Sequence, residues 1–168
     1  ALKTKLFLLF NQYTYTMAHQ VKLKYCYTCE IYRPPRASHC GEWDTCIERI
    51  DHHWPWLGTC IGKRNYKYFF IFINVLTLII FFSIILCFVE IYIRVSEHID
   101  KGKDFGGAMR SSLRTSPYPI IFIGISLVAS LFVVVLCVYH HILAYKSETT
   151  NEDLKDTFKK NYVFNPYK

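Results

Sequence analysis

Charge is missing from two long stretches of this 168-residue chain: Tyr68–Val89 and Tyr118–Tyr145 contain no Asp, Glu, Lys or Arg. A helix rises about 1.5 Å per residue, so roughly 20 residues cross a hydrocarbon core of about 30 Å. Both stretches reach that length, are rich in Ile, Leu, Val and Phe, and carry aromatic residues near their ends, as at membrane interfaces. A chain this short has too little other protein to bury two such helices, which excludes a soluble core. Each lies far from the N-terminus, which excludes a signal peptide. The chain also lacks internal repeats and low-complexity tracts, and residues 1–67 show scarcely any alternating apolar pattern, so little regular structure is expected there. No Lys/Arg-rich helix with a base-reading pattern is present, so no nucleic-acid partner is expected. The net charge of +7 is assigned to a lipid surface. A last absence is chemical. In Asp51-His-His-Trp-Pro-Trp-Leu57 an acid and two imidazoles stand before Trp54, whose indole nitrogen offers no lone pair and cannot attack.

Cysteine and histidine are abundant. Five of the seven Cys lie in residues 26–60. Cys26-x-x-Cys29 has zinc-knuckle spacing, and His39, Cys40, Cys46, His53 and Cys60 follow. Zinc takes four Cys/His donors in a tetrahedron, so these seven candidates fall one short of two complete sites. An odd cysteine total fits poorly with full disulfide pairing, and a reducing cytosol favours metal over disulfides. Cys87 and Cys137, inside the apolar stretches, read as packing residues. Arg33 and Arg36 read as surface residues in solvent or against lipid phosphate. Thr149-Thr-Asn-Glu152 is a capping-box pattern that starts a helix.

The stretch CYTCEIYRPPRASHCGEWDTCIERIDHHWPWLGTCIGKRNYKYF, Cys26–Phe69, resembles the cysteine-rich domain of the DHHC protein S-acyltransferases. It carries, in order, C-x2-C, R-P-x-R-x2-H-C, C-x4-D-H-H, P-W, C-x-G and N-x3-F. Beyond it, Thr149–Glu152 resembles the family's TTxE motif, and Asn165–Tyr167 resembles the start of its C-terminal aromatic motif. The resemblance covers roughly residue 22 to the end. The family usually has two further spans before this domain, so the chain reads as a fragment of a longer protein.

The resemblance implies one zinc on Cys26, Cys29, His39 and Cys46, and a second on Cys40, His53, Cys60 and a cysteine where Trp43 stands. It implies Asp51 and His52 as catalytic residues, with the nucleophilic cysteine where Trp54 stands. Thr59, commonly Asn in the family, is a milder departure. The reaction implied moves a fatty acyl group from palmitoyl-CoA, or another long-chain acyl-CoA, to membrane-proximal protein cysteines through an acyl-enzyme. Two Cys-to-Trp departures at critical points suggest one cause, since Cys and Trp codons differ only in the third base. Both positions are then cysteine in the natural protein. The alternative is a catalytically inactive membrane scaffold or partner-binding relative. A third reading, hydrolytic zinc on Cys40, His53 and Cys60 with Asp51 or Glu42 as base, requires an open position that Trp43 should obstruct.

The expected fold is an all-α polytopic membrane protein with two transmembrane helices in this chain and a small zinc-stabilised, Cys/His-rich, mostly irregular cytosolic domain. Its parts are a linker (1–21), the Cys-rich zinc domain (22–67), a span (68–93), a luminal or extracellular loop (94–117), a second span (118–145) and a cytosolic tail (146–168). Lys and Arg near the spans favour a cytosolic Cys-rich domain, in endomembranes (ER or Golgi) or the plasma membrane.

Overall fold

The computed structural model of the chain describes residues 13–16 and 19–158; the Asn165–Tyr167 motif lies outside them. The chain divides into two compact units, Ala1–Phe70 with Tyr139–Lys168, and Ile71–Val138.

The first unit is built from four antiparallel hairpins: β1 (Tyr13–Thr16) with β2 (His19–Lys22), β3 (Tyr25–Cys26) with β4 (Ile31–Tyr32), β5 (Ala37–Cys40) with β6 (Thr45–Glu48), and β7 (His52–Trp54) with β8 (Thr59–Ile61). Each strand pairs only with its neighbour in the chain. β1 and all of β2 but Lys22 fall within the stretch expected as a linker (1–21). Strands of two to four residues are too short to print an alternating pattern in the sequence. Their turns use left-handed backbone at Glu30, Asp44 and Gly58, a conformation uncommon outside glycine. The apolar core is correspondingly small: Cys40, Ile50 and Cys60, with Ile47 packed against them. Burial on that scale cannot offset the conformational entropy of ordering several turns.

The hairpin segment is joined to the first long helix by a tight polar lock. Asn65 Oδ1 accepts from the Gly62 amide at 2.8 Å, and Asn65 Nδ2 donates to the Cys60 carbonyl at 3.0 Å. Gly62 allows the approach: a Cβ there would stand 3.0 Å from both the Glu48 carbonyl oxygen and Ile47 Cγ2. Helix α1 (Tyr66–Asp100) begins one residue after Asn65. Tyr66–Phe70 belongs to the first unit, and so does the C-terminal end of α3 (Tyr118–Lys146) from Tyr139 onward. The tail then forms α4 (Thr150–Leu154).

The second unit holds the rest of α1, α2 (Phe105–Thr115) and most of α3. Only 11% of the most apolar window of α1 and of α3 is buried. These are therefore not core helices of a soluble fold, and both are long and apolar enough to cross a membrane. Thr77 donates to the Ile73 carbonyl and Ser83 to the Ile79 carbonyl of the same helix, which spares those hydroxyls an unpaired place in hydrocarbon. Cys137 is buried and donates to Asn74 Oδ1 at 3.6 Å, so it makes a polar contact besides packing. Helix α2 lies in the connection expected as a polar loop. Asp104 caps it by accepting from the Gly107 amide, and Gly107 leaves the space, since a Cβ there would stand 2.9 Å from Asp104 Oδ1.

Replacing Gly62 by Ala should destabilise the hairpin unit by about 1–3 kcal/mol, read as a lower thermal midpoint with the helical signal retained.

Candidate functional site

The donors of the first cluster come from two hairpins. Cys26 ends β3, Cys29 lies in the following turn, and His39 and Cys46 face each other across β5 and β6. Their four ligand atoms lie within 4.8 Å of one another, with His39 Nδ1 3.4 Å from Cys29 Sγ and 3.6 Å from Cys26 Sγ. All described cysteines are free thiols. Three sulfurs and one imidazole at this spacing fit a tetrahedral zinc, whose bonds of about 2.0–2.3 Å set donors a little under 4 Å apart. His39 Nε2 lies 3.5 Å from Asp44 Oδ1, an outer carboxylate that would orient the ring for binding through Nδ1.

The second cluster has three donors. Cys40 and Cys60, both buried, have their sulfurs 3.2 Å apart, and His53 Nδ1 is 3.4 Å from Cys60 Sγ and 3.8 Å from Cys40 Sγ. Among the described residues no further His, Cys, Asp or Glu joins them. The turn after Cys40 shows where a fourth would come from. Cys26 ends β3 and a four-residue turn, 27–30, closes on left-handed Glu30; Cys40 ends β5 and the turn 41–44 closes on left-handed Asp44. Trp43 therefore stands in its turn where Cys29 stands in the other. Its indole is 52% exposed and donates no electron pair. The residues present fit one complete tetrahedral site and one three-donor site.

Side chains alternate across a strand, and this chain uses both sides at adjacent residues. In β5, His39 serves one cluster and Cys40 the other. In β7, His53 turns to the second cluster, while His52 and residue 54 share the opposite face, their ring centroids 6.1 Å apart. The strand thus separates the histidine of the second donor cluster from His52 and residue 54.

Asp51 is 1% exposed, yet its carboxylate is fully engaged. It accepts from His52 Nδ1 at 2.7 Å, from the Thr150 amide at 2.9 Å and from the Thr150 hydroxyl at 2.8 Å. Burial alone would raise its pKa; the bonds from His52 and from the Thr150 amide and hydroxyl outweigh burial and hold the carboxyl below its usual range. Asp51 is therefore an anion at neutral pH. It fixes the His52 tautomer with the proton on Nδ1, leaving the Nε2 lone pair free as a base. The His52 side chain is 30% exposed, enough to meet a reactant.

Thr149–Glu152 does two things at once. Its capping box is complete: Glu152 N donates to Thr149 Oγ1 and Thr149 N donates to Glu152 Oε2. Three of these four residues also dock the tail onto the hairpins. Thr150 binds Asp51, Asn151 Nδ2 donates to Ser38 Oγ at 3.2 Å, and Glu152 accepts from Arg36 Nε at 2.7 Å and from its terminal nitrogen at 2.6 Å. Arg36 also donates to the Ser147 carbonyl. Both charged side chains are under a tenth exposed, which corrects the sequence expectation for Arg36: it is an internal tether, not a solvent- or lipid-facing cation. Nothing in the sequence pairs Arg36 with a residue 116 positions away. His140 was likewise hidden in the second apolar run, and Tyr66 lies between Arg64 and Lys67 just before the first. They meet at the site, and the only signal was a polar residue inside a predicted span.

Because the ion pair is buried, breaking it on one side leaves an uncompensated charge. Arg36→Ala or Glu152→Ala should cost about 3–5 kcal/mol, whereas replacing both with Met and Leu should cost far less. Amide hydrogen exchange at residues 149–154 reads the difference. Metal analysis after exhaustive dialysis should give about one tightly held zinc per chain, rising to about two for Trp43→Cys, with chelation unfolding the hairpins.

Residues 19–157 match the family profile described as DHHC palmitoyltransferase. Palmitoyltransferase ZDHHC9 of Homo sapiens is 43% identical over 148 residues, covering 88% of this chain and 38% of that protein. Palmitoyltransferase ZDHHC14 of Homo sapiens is 40% identical over 152 residues, 88% of this chain and 29% of the relative. Palmitoyltransferase ZDHHC18-B of Danio rerio is 38% identical over 151 residues, 88% of this chain and 37% of the relative. The chain thus spans less than two fifths of the length of these curated relatives. The two donor clusters, the Asp51–His52 pair and the TTxE clamp are parts of one domain, and the chain belongs to the DHHC palmitoyltransferase family.

Proposed function

We propose that this chain is the zinc-bearing catalytic portion of a protein-cysteine S-acyltransferase that takes a long-chain acyl group from acyl-CoA and passes it to protein cysteines. The observation that carries this reading is the Asp51–His52 pair, with His52 and residue 54 on one face of β7 and within one aromatic cluster. Its names of relatives, all palmitoyltransferases, support the same chemistry. A cysteine at position 54 is required, and we infer that positions 43 and 54 are cysteine in the natural protein. A single codon reading accounts for both tryptophans, and position 43 lies in a turn that matches the Cys26–Cys29 knuckle residue for residue.

With a cysteine there, His52 Nε2 accepts the thiol proton, and the thiolate attacks the acyl-CoA carbonyl carbon. The tetrahedral adduct collapses, the C–S bond to coenzyme A breaks, and the leaving thiolate takes the proton from His52. The acceptor cysteine then repeats the exchange on the acyl-enzyme, returning the first thiol. Asp51 holds the imidazole and stabilises its charged form. Zinc, when bound, supplies rigidity to the hairpins rather than a reactive group. A lipidated product held in the bilayer gains about 0.8 kcal/mol per buried CH2, which suits a reaction beside membrane spans. Cysteines near the membrane are the natural acceptors. The Lys and Arg flanking the spans favour a Cys-rich domain on the cytosolic side of an endomembrane or plasma membrane.

One observation favours a second reading, an inactive membrane scaffold. Trp54 is accommodated, its ring meeting Phe69 edge-on at 5.4 Å and 90°. Labelled palmitoyl-CoA separates the two. The Trp54→Cys chain should form a hydroxylamine-sensitive adduct at position 54, and Asp51→Asn in that background should slow it by about 10²–10⁴-fold. No adduct in the presence of bound zinc overturns the acyltransfer reading. Ordinary UGG codons at both positions overturn the natural-cysteine reading.

A further inference from the structure

His140 is 2% exposed, among the most buried large side chains of the molecule, and the acyl-transfer scheme gives it no task. Its Nδ1 is hydrogen-bonded to the Tyr66 hydroxyl at 3.1 Å, across 74 residues of chain. A buried imidazole in an apolar helix end is costly without such a partner, and an aliphatic residue would pack there at no such cost. Two facts show what the bond supports. Phe69, one turn beyond Tyr66, packs edge-on against His140 with centroids 4.8 Å apart at 76°. The same Phe69 ring packs against His52 at 5.1 Å and 69°.

His52 needs this support. Among the described residues its ring makes one hydrogen bond, to Asp51, which fixes Nδ1 but leaves the ring able to tilt about that bond, and the direction of the Nε2 lone pair is set by the rings packed around it. Those neighbours are Phe69, Trp54, and His140 at 6.3 Å. A smaller residue at position 54 removes the indole contact, leaving Phe69 as the ring packed on His52, with His140 packed against Phe69 in turn.

We propose that the Tyr66–His140 pair is a positioning device for the reaction centre: it joins the ends of α1 and α3 so that Phe69 is held against His52 and the base points at position 54. His140 acts through Phe69 and touches no reacting atom. The proposal rests on the acyl-transfer reading for its kinetic consequence, though not for its structural one, and the test separates the two.

In the full chain carrying Trp54→Cys, single-turnover acylation by palmitoyl-CoA is followed for four proteins: parent, His140→Leu, His140→Asn and Tyr66→Phe. The Leu and Phe variants should lower the maximal acylation rate about tenfold or more through misplacement of the base. Half-saturation by palmitoyl-CoA and zinc content should be unchanged. The Asn variant, whose side-chain amide can still bond the Tyr66 hydroxyl, should recover most of the rate. A second measurement needs no reaction: contacts between the Phe69 and His52 rings, read by NMR with labelled histidine in the unsubstituted chain. These should be weakened by His140→Leu and Tyr66→Phe and kept by His140→Asn. Parent rates in the Leu variant, or ring contacts that survive it, overturn the proposal. So does a rate loss that only follows loss of zinc or stability and is not rescued by Asn. If no protein acylates but the ring contacts respond as stated, the positioning device stands and the acyl-transfer reading falls.

Discussion

Soft donors placed to grip a metal stand where a larger hydrophobic core would otherwise be needed. Among the described residues the clustered apolar centre of the hairpin unit is Cys40, Ile50 and Cys60 with Ile47 against them, and two of those four belong to a candidate metal cluster. Strands of two to four residues contribute few ladder bonds, and turns closed by left-handed Glu30 and Asp44 carry backbone cost. Four ligand atoms within 4.8 Å in one cluster and three in the other would fix the turns once metal is bound. Everything downstream depends on that: the pleat of β5 that shares adjacent residues between clusters, and the pleat of β7 that sends His53 inward and leaves His52 beside position 54.

The Asp51–His52 pair is completed from elsewhere in the chain. Asp51 lies in the hairpin unit, yet two of its three side-chain bonds come from Thr150. The local capping geometry of Thr149–Glu152 explains how one short helix can do this. The cap fixes the Thr150 amide and hydroxyl in direction, and the Arg36–Glu152 pair fixes them in position. Secondary structure and tertiary docking share one four-residue motif, so the pattern legible as a helix start is also the attachment point.

The sequence carried the chemistry more clearly than the architecture. Seven donors, the two apolar spans and the acid–imidazole pair could be read because each is a property of residue type and spacing. The hairpins could not, because runs such as Tyr25–Cys26 or Ile31–Tyr32 are shorter than one period of alternation. Helix α2 was concealed by Gly106 and Gly107, which read as breakers but allow Asp104 to cap. Arg36 and His140 were misplaced or unremarked for a common reason. The meaning of each is set by a partner far along the chain, Glu152 for one and Tyr66 for the other, and no local window contains both halves. Position 43 was legible only as a departure from a family pattern. The matched turns of Cys26–Glu30 and Cys40–Asp44 give that position a physical meaning.

The tether between Arg36 and Glu152 encloses 116 residues of separation, and both long apolar helices lie between its ends. During synthesis the N-terminal hairpins emerge and can load metal early, while the carboxylate of Asp51 still lacks the amide and hydroxyl that will hold it. The second apolar helix must be made before Thr150 arrives. The buried carboxylate of Asp51 thus stays half-fastened until both apolar helices have been made, and a chain stopped short of Thr150 would carry all seven clustered donors and a loosely held Asp51.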